Sequence, residues 1–304
     1  MLTNNGKNLL LRYLANLSPG FVKEIAVGIG DSTTSASSSR LDFEVSRTTV
    51  VTGSILGTTN EILYHSSLPT DDEYQIREIA LFPTTSSQAG VPVRGTLITS
   101  FEPGDGAVFN SPSIIPSGQI ASSYIEKTSS EEGAAGIRIG SSASYVCSSS
   151  GEVSLPALGD FSQYGPNDEI NIAFITPVNS FNLSIELFDT LGQSMTITCS
   201  KNSLTDGVFT ENNNTIRGVV NDETTHYYVI YSKPIGTQSI NFSEMSQIKI
   251  TNNGSSHVII DGIRFEEVDL VNPLNSAVAR KEILSPQDKL SGFSMDLEYR
   301  LTVG

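Results

Sequence analysis

The sequence predicts a mainly β protein: a small α+β domain with one N-terminal helix, split by an inserted antiparallel β-sandwich. Three observations predict it. Only the first stretch of the chain has helical periodicity, and alternating strand patterns follow. The C-terminal segment Met295-Asp-Leu-Glu-Tyr-Arg-Leu-Thr-Val303 alternates cleanly and shares the apolar-acidic rhythm of Leu41-Asp-Phe-Glu-Val45. Between these ends lie short strand patterns separated by Gly, Asn, Asp, Pro or Ser, the spacing of a sandwich.

The helix is expected over Thr3 to Leu17. Thr3 or Asn4 can cap it, and Leu9, Leu10, Tyr13, Leu14 and Leu17 recur at helical spacing. Pro19-Gly20 ends it. Ile25 to Ile29 reads as a strand, followed by a Ser/Thr/Gly loop from Gly30 to Ser39. Strands follow over Leu41 to Val45, Val50 to Ile55, Glu61 to His65, Tyr74 to Phe82 and Val93 to Phe101. A C-terminal strand of such regularity needs a partner. Leu41, Phe43 and Val45 are therefore expected to share one sheet with Leu297 and Tyr299.

Residues 102 to 135 are rich in Gly, Pro, Ser and Glu and read as a linker, with Gln119 to Glu126 a further strand candidate. From Ile137 to Phe265 about eleven short strands are expected, and Asn252-Asn253-Gly254 has the chemistry of a hairpin turn. The expected domains are 1–122 plus 272–304 for the discontinuous host and 123–271 for the sandwich.

Composition narrows the function. A chain of 304 residues is long for one core. With 33 acidic against 18 basic residues and a net charge of −15, a phosphate-neutralising face is excluded, so nucleic acid is not an expected partner. The acidity suits solubility and repulsion between particles. No apolar run reaches the ~18 residues of a membrane span. Arg12 and Asn16 interrupt the stretch from Leu9 to Leu17, so it reads as mature protein. The two cysteines, 147 and 199, are expected reduced in strands.

No catalytic constellation is expected, and the chain reads as a non-enzyme. Gly28-Ile-Gly30 follows a strand, but position 33 is Thr and no helix opens there. A tight turn accounts for it better than a dinucleotide loop. His65, His226 and His257 are scattered and lack zinc spacing. Structural calcium is the one cofactor to consider, through Asp160, Asp168, Asp261 and Asp269 near strand ends. Tyr227, Tyr228 and Tyr231 form the densest aromatic stretch, a candidate subunit-contact or glycan face.

Two resemblances follow. Ile25-Ala-Val-Gly-Ile-Gly-Asp31, Leu41-Asp-Phe-Glu-Val-Ser-Arg47, Arg77-Glu-Ile-Ala-Leu-Phe82 and the C-terminal strand resemble structural proteins of tailed-bacteriophage virions. Val258-Ile-Ile-Asp-Gly-Ile-Arg-Phe265 resembles the closing strand of carbohydrate-binding-like jelly rolls. The first implies a tail, neck or baseplate component, assembled in the host cytoplasm, whose split domain docks on other virion proteins and on copies of itself. The second implies a jelly roll carried outward, with no sugar binding implied by fold alone. Capsid decoration is the alternative place on the particle. An adhesin for host surface glycan is the alternative function, and a depolymerase a third.

Overall fold

The structure, a computed structural model, describes residues 1–15, 21–30, 33–56, 60–70, 73–83, 95–101, 108–110, 113–116, 138–139, 143–147, 149–205, 215–221, 227–268 and 277–302. The fold is mainly β, with antiparallel pairing throughout and one N-terminal α-helix among these residues. The chain divides into two compact units, Met1–Val93 with Asp269–Gly304, and Arg94–Val268.

In the discontinuous unit, α1 (Asn4–Leu14) begins where Thr3 Oγ1 accepts from the Gly6 N–H at 2.9 Å. The same hydroxyl faces the carbonyls of Ala277 at 2.6 Å and Val278 at 3.0 Å, so one side chain caps the helix and ties it to the returning chain. A Cβ on Gly6 would collide with the Val278 carbonyl, which is why this turn needs glycine. The apolar stripe is only partly used. Leu9 is fully buried, whereas Tyr13 is 50% and Leu14 72% exposed. Leu17 lies outside the described residues.

The strands are β1 (Glu24–Gly28), β2 (Glu44–Thr49), β3 (Thr52–Leu56), β4 (Glu61–Leu68), β5 (Tyr74–Phe82), β18 (Ala279–Lys289) and β19 (Met295–Thr302), numbered along the whole chain. One sheet has the order β18-β5-β1-β2 and the other β19-β4-β3. The N-terminus extends the β18 edge: the Met1 ammonium donates to the Arg280 carbonyl at 2.8 Å, and Leu2 bridges Ala279.

The expectation that Leu41, Phe43 and Val45 share one sheet with Leu297 and Tyr299 is corrected here. β2 belongs to the four-stranded sheet, and β19 pairs with β4 in the three-stranded one. Leu41 and Phe43 precede β2, because the N–H groups of Asp42 and Phe43 are taken by a side-chain carboxylate rather than a strand. The sheets meet at the turn from β2 to β3. There Ser66 Oγ of β4 donates to the Thr49 carbonyl at 2.6 Å, and the Val51 N–H donates to the His65 carbonyl at 2.8 Å.

Unit two is an antiparallel β-sandwich. Its strands are β6 (Gly95–Thr99), β7 (Val108–Asn110), β8 (Ser113–Pro116), β9 (Ala143–Cys147), β10 (Glu152–Gly159), β11 (Glu169–Thr176), β12 (Phe181–Asp189), β13 (Ser194–Lys201), β14 (Thr215–Asn221), β15 (Tyr227–Pro234), β16 (Met245–Asn252) and β17 (Val258–Glu266). One sheet runs β13-β12-β16-β10-β7. The other runs β14-β15-β11-β17-β9-β8, with β6 also on β17. Leu183, Ile185, Ile248 and Ile250 of the first face Ile172, Phe174, Val229 and Ile260 of the second in one apolar core. Phe181 meets Tyr231 edge-on at 5.1 Å.

The sandwich starts near Arg94 rather than at residue 123, because β6 to β8 pair within its sheets. The strand candidate Gln119 to Glu126 lies outside the described residues. Asn252-Asn253-Gly254 joins β16 to β17, which belong to different sheets, so it is a crossing and not a hairpin. The buried Asn252 amide holds the crossing by donating to the carbonyls of Cys147 at 2.9 Å and Ser256 at 2.8 Å.

Candidate functional site

The densest polar constellation of the discontinuous unit is a buried node on Glu78. This residue sits mid-strand in β5, beside Ile79, Ala80 and Leu81, and is wholly buried. Its Oε1 accepts from the N–H groups of Gly30 and Phe43, each at 3.0 Å. Its Oε2 accepts from the Asp42 N–H at 2.9 Å and from Arg280 Nη2 at 2.8 Å. The same guanidinium nitrogen lies 3.1 Å from Asp42 Oδ2. Two buried carboxylates thus face one buried cation. Burial, then the Asp42 charge, push the Glu78 carboxyl up to about 7, against the pull of Arg280 and the backbone donors.

The node explains Gly28-Ile-Gly30. A Cβ on Gly28 would run into Glu78 Oε1 and stand 2.5 Å from the Phe43 carbonyl. One on Gly30 would stand 2.7 Å from Asp42 Oδ2 and 2.8 Å from Glu78 Oε1. The glycines make room for a carboxylate of the protein itself.

A second cluster lies on the same sheet. Arg47 grips Glu44 with two bonds, of 2.7 and 2.6 Å, reaches Glu24 at 3.2 Å, and stacks 3.9 Å over the Phe82 ring. Burial opposes its charge, but Glu44 and Glu24 more than offset that, and its pKa is raised.

In the sandwich, the proposed tyrosine face is corrected. Tyr231 is 1% and Tyr228 5% exposed, and Tyr227 packs against the core. Both faces of β15 are covered, because the sheet is buried on its outer side as well. Tyr228 Oη donates to Asp261 Oδ2 at 3.0 Å, and the Arg138 guanidinium stacks 3.6 Å over the Tyr228 ring. The phenol holds a buried carboxylate and offers no open platform.

The aspartates weighed for calcium occupy separate places. Asp160 accepts from the Ser162 N–H, Asp168 from the N–H groups of Gly165 and Val268, and Asp261 from Tyr228. Asp269 lies outside the described residues. Among the described residues no group of three or more His, Cys, Asp or Glu is placed to hold a metal ion. Cys147 and Cys199 are buried thiols not joined in a disulfide, and burial pushes the Cys199 thiol up to about 12, away from nucleophilic use at neutral pH. His65 stands across from Glu298 at 3.8 Å, and His226 lies outside the described residues. No helix among the described residues is long and apolar enough to cross a membrane.

Asp42, Glu78 and Arg280 were not separable in sequence as a site. The charged pair Arg77-Glu78 inside the otherwise apolar stretch Ile76 to Phe82 was the available signal.

No protein-family model matches the chain, and no curated protein matches it. Solved structures give a distant likeness. The N-terminal carbohydrate-binding and catalytic modules of Clostridium thermocellum endo-1,4-β-D-xylanase 10B, in complex with xylohexaose, align at a TM-score of 0.30 with 10% identity, over 55% of this chain and 27% of that one. The agarase AgWH50C aligns at 0.30 with 13% identity, over 65% and 25%. An exo-β-agarase aligns at 0.29 with 14% identity, over 62% and 25%. The chain thus spans about a quarter of those structures' length. Likeness at this level carries nothing about activity to the present chain.

Proposed function

We propose that this chain is a non-enzymatic structural component of a tailed-phage virion, in the tail, neck or baseplate. It docks through the discontinuous unit and carries the sandwich as a passenger module. Copies on a symmetric scaffold would add weak contacts into firm attachment. One observation supports the choice of docking unit. Of the eleven large apolar residues exposed among the described residues, eight belong to it: Met1, Leu11, Tyr13, Leu14, Val51, Ile55, Leu290 and Phe293. The exposed apolar residues are more numerous on this unit than on the sandwich, which fits an attachment role where they adjoin, as Leu11 and Leu14 do one turn apart on α1. The virion assignment itself rests on the resemblance of the segments that carry Gly30, Asp42 and Glu78, which meet in one node of the fold.

Gradient-purified phage particles from the source culture, probed with gold-labelled antibody to this chain, test the proposal. Label at the tail, neck or baseplate supports it. Label over the capsid shell reassigns the chain to decoration. Particles free of the chain, with all of it in the soluble fraction, contradict it. In the bound case, Leu11→Asp with Leu14→Asp should abolish incorporation without altering the far-ultraviolet dichroism.

A further inference from the structure

Among the described residues, β19 is an edge strand. It pairs with β4 at all eight positions, from Met295↔Leu68 to Thr302↔Glu61, with no bulge. No described residue pairs with its other edge. The strand has no proline, lysine or bulge, three of the devices by which natural edges are blunted, and the charges it does carry, Asp296, Glu298 and Arg300, are of both signs. Leu297, Tyr299 and Leu301 are buried on one face, and Asp296, Glu298, Arg300 and Thr302 are exposed on the other.

The main-chain direction follows from the neighbouring pair. The His65 carbonyl accepts from the Val51 N–H, so His65 directs its backbone toward β3. Its β19 partner, Glu298, then directs its backbone away from β4. By alternation the N–H and C=O groups of Asp296, Glu298, Arg300 and Thr302 line the open edge.

The strand is also self-complementary. Leu297-Glu298-Tyr299-Arg300-Leu301 reads apolar, acidic, aromatic, basic, apolar. Set a second β19 antiparallel to the first, with a two-fold axis at Tyr299. Glu298 then lies opposite Arg300 of the second copy, twice by symmetry. Leu297 lies opposite Leu301, and Asp296 opposite Thr302. The residues paired across the junction are those whose backbone groups face outward. A two-fold centred on Glu298 would oppose two carboxylates, and one on Arg300 two guanidinium groups, so charge selects the Tyr299 register. The Arg300 side chain is 55% exposed, and its contacts within its own chain are long ones, 3.3 Å to Glu298 and 3.9 Å to Glu61, which the exchange would replace.

We propose that β19 is the self-association edge, where two copies of this chain join antiparallel about Tyr299 into one six-stranded sheet, β3-β4-β19-β19-β4-β3. The proposal stands apart from the virion assignment, since it rests on backbone and charge alone.

Sedimentation velocity on the full chain tests it. Wild-type protein should sediment as a dimer. Glu298→Arg and Arg300→Glu each set like charges opposite and should weaken dimerisation by ~10-fold or more. The double exchange, Glu298→Arg with Arg300→Glu, should restore the dimer. So should mixing the two single variants, because each then supplies the charge the other lacks. A monomeric wild type overturns the proposal and needs no variant. A wild-type dimer that both single variants leave intact places the contact elsewhere and overturns it equally.

Discussion

Arg280 donates a hydrogen bond of 2.8 Å to Glu78 across 202 positions of sequence. The cation arrives on β18, after the whole sandwich has been traversed, and reaches a carboxylate on β5 that is already surrounded by three backbone donors. Arg280→Met should therefore cost the discontinuous unit ~3–5 kcal/mol, because it leaves two buried carboxylates without their counter-ion. Chemical denaturation followed by a probe in that unit would read the loss. A change below ~1 kcal/mol would mean that the node carries little.

The Glu78 carboxyl gives a pH dependence of definite sign. Its folded value, raised to about 7, lies above the ordinary 4.5. Between these values the folded state holds the proton more tightly than the unfolded one. Stability from this group is thus greatest below the ordinary value and is lost as pH rises toward the folded value. Unfolding free energy measured across that window should fall with pH in the wild type. Glu78→Gln should flatten the slope, though it lowers stability overall, since its amide nitrogen would face N–H donors.

Gly30→Ala should destabilise the same unit by ~1–3 kcal/mol, the usual cost of overpacking. The added methyl would push on both Asp42 and Glu78. Thermal denaturation checks it, and an unchanged midpoint would remove the account of the glycine pair given above.

Tyr228→Phe should act on stability. The lost bond of 3.0 Å to the buried Asp261 should cost the sandwich ~1.5–3 kcal/mol, the range for bonds to charged groups. Exposed-face behaviour, with no change in stability, would return this tyrosine to the candidates for ligand contact.

Much of the architecture was legible because periodicity reports burial directly. The terminal strand from Met295 alternates in burial as its sequence does, and Tyr74–Phe82 keeps its expected bounds, although it is buried almost throughout. β18 was not legible. Ala279-Arg-Lys-Glu-Ile-Leu-Ser-Pro-Gln-Asp-Lys289 has no alternation and contains Pro286, which the fold accommodates where the register shifts between Glu282 and Gln287. Missing β18 hid Arg280, and without Arg280 the node could not be seen. Sequence alternation also placed Tyr227 and Tyr231 on one face of their strand and Tyr228 on the other, as the structure has them, but could not tell that both faces of the sheet are covered. Likewise, the shared rhythm of Leu41–Val45 and the C-terminal strand was genuine patterning, yet rhythm does not specify a partner. β19 found β4, and residues Asp42 and Phe43 found a carboxylate.

Amide hydrogen exchange on a chain ending at Val268 tests most directly whether the returning segment completes the first unit. Loss of β18 and β19 removes the partners of β5 and β4 and the cation of the node. The amides of Glu24–Gly28 and Tyr74–Phe82 should then exchange freely, while Glu169–Thr176 in the sandwich keeps its protection. Full protection of β1 and β5 in that shortened chain would contradict the account.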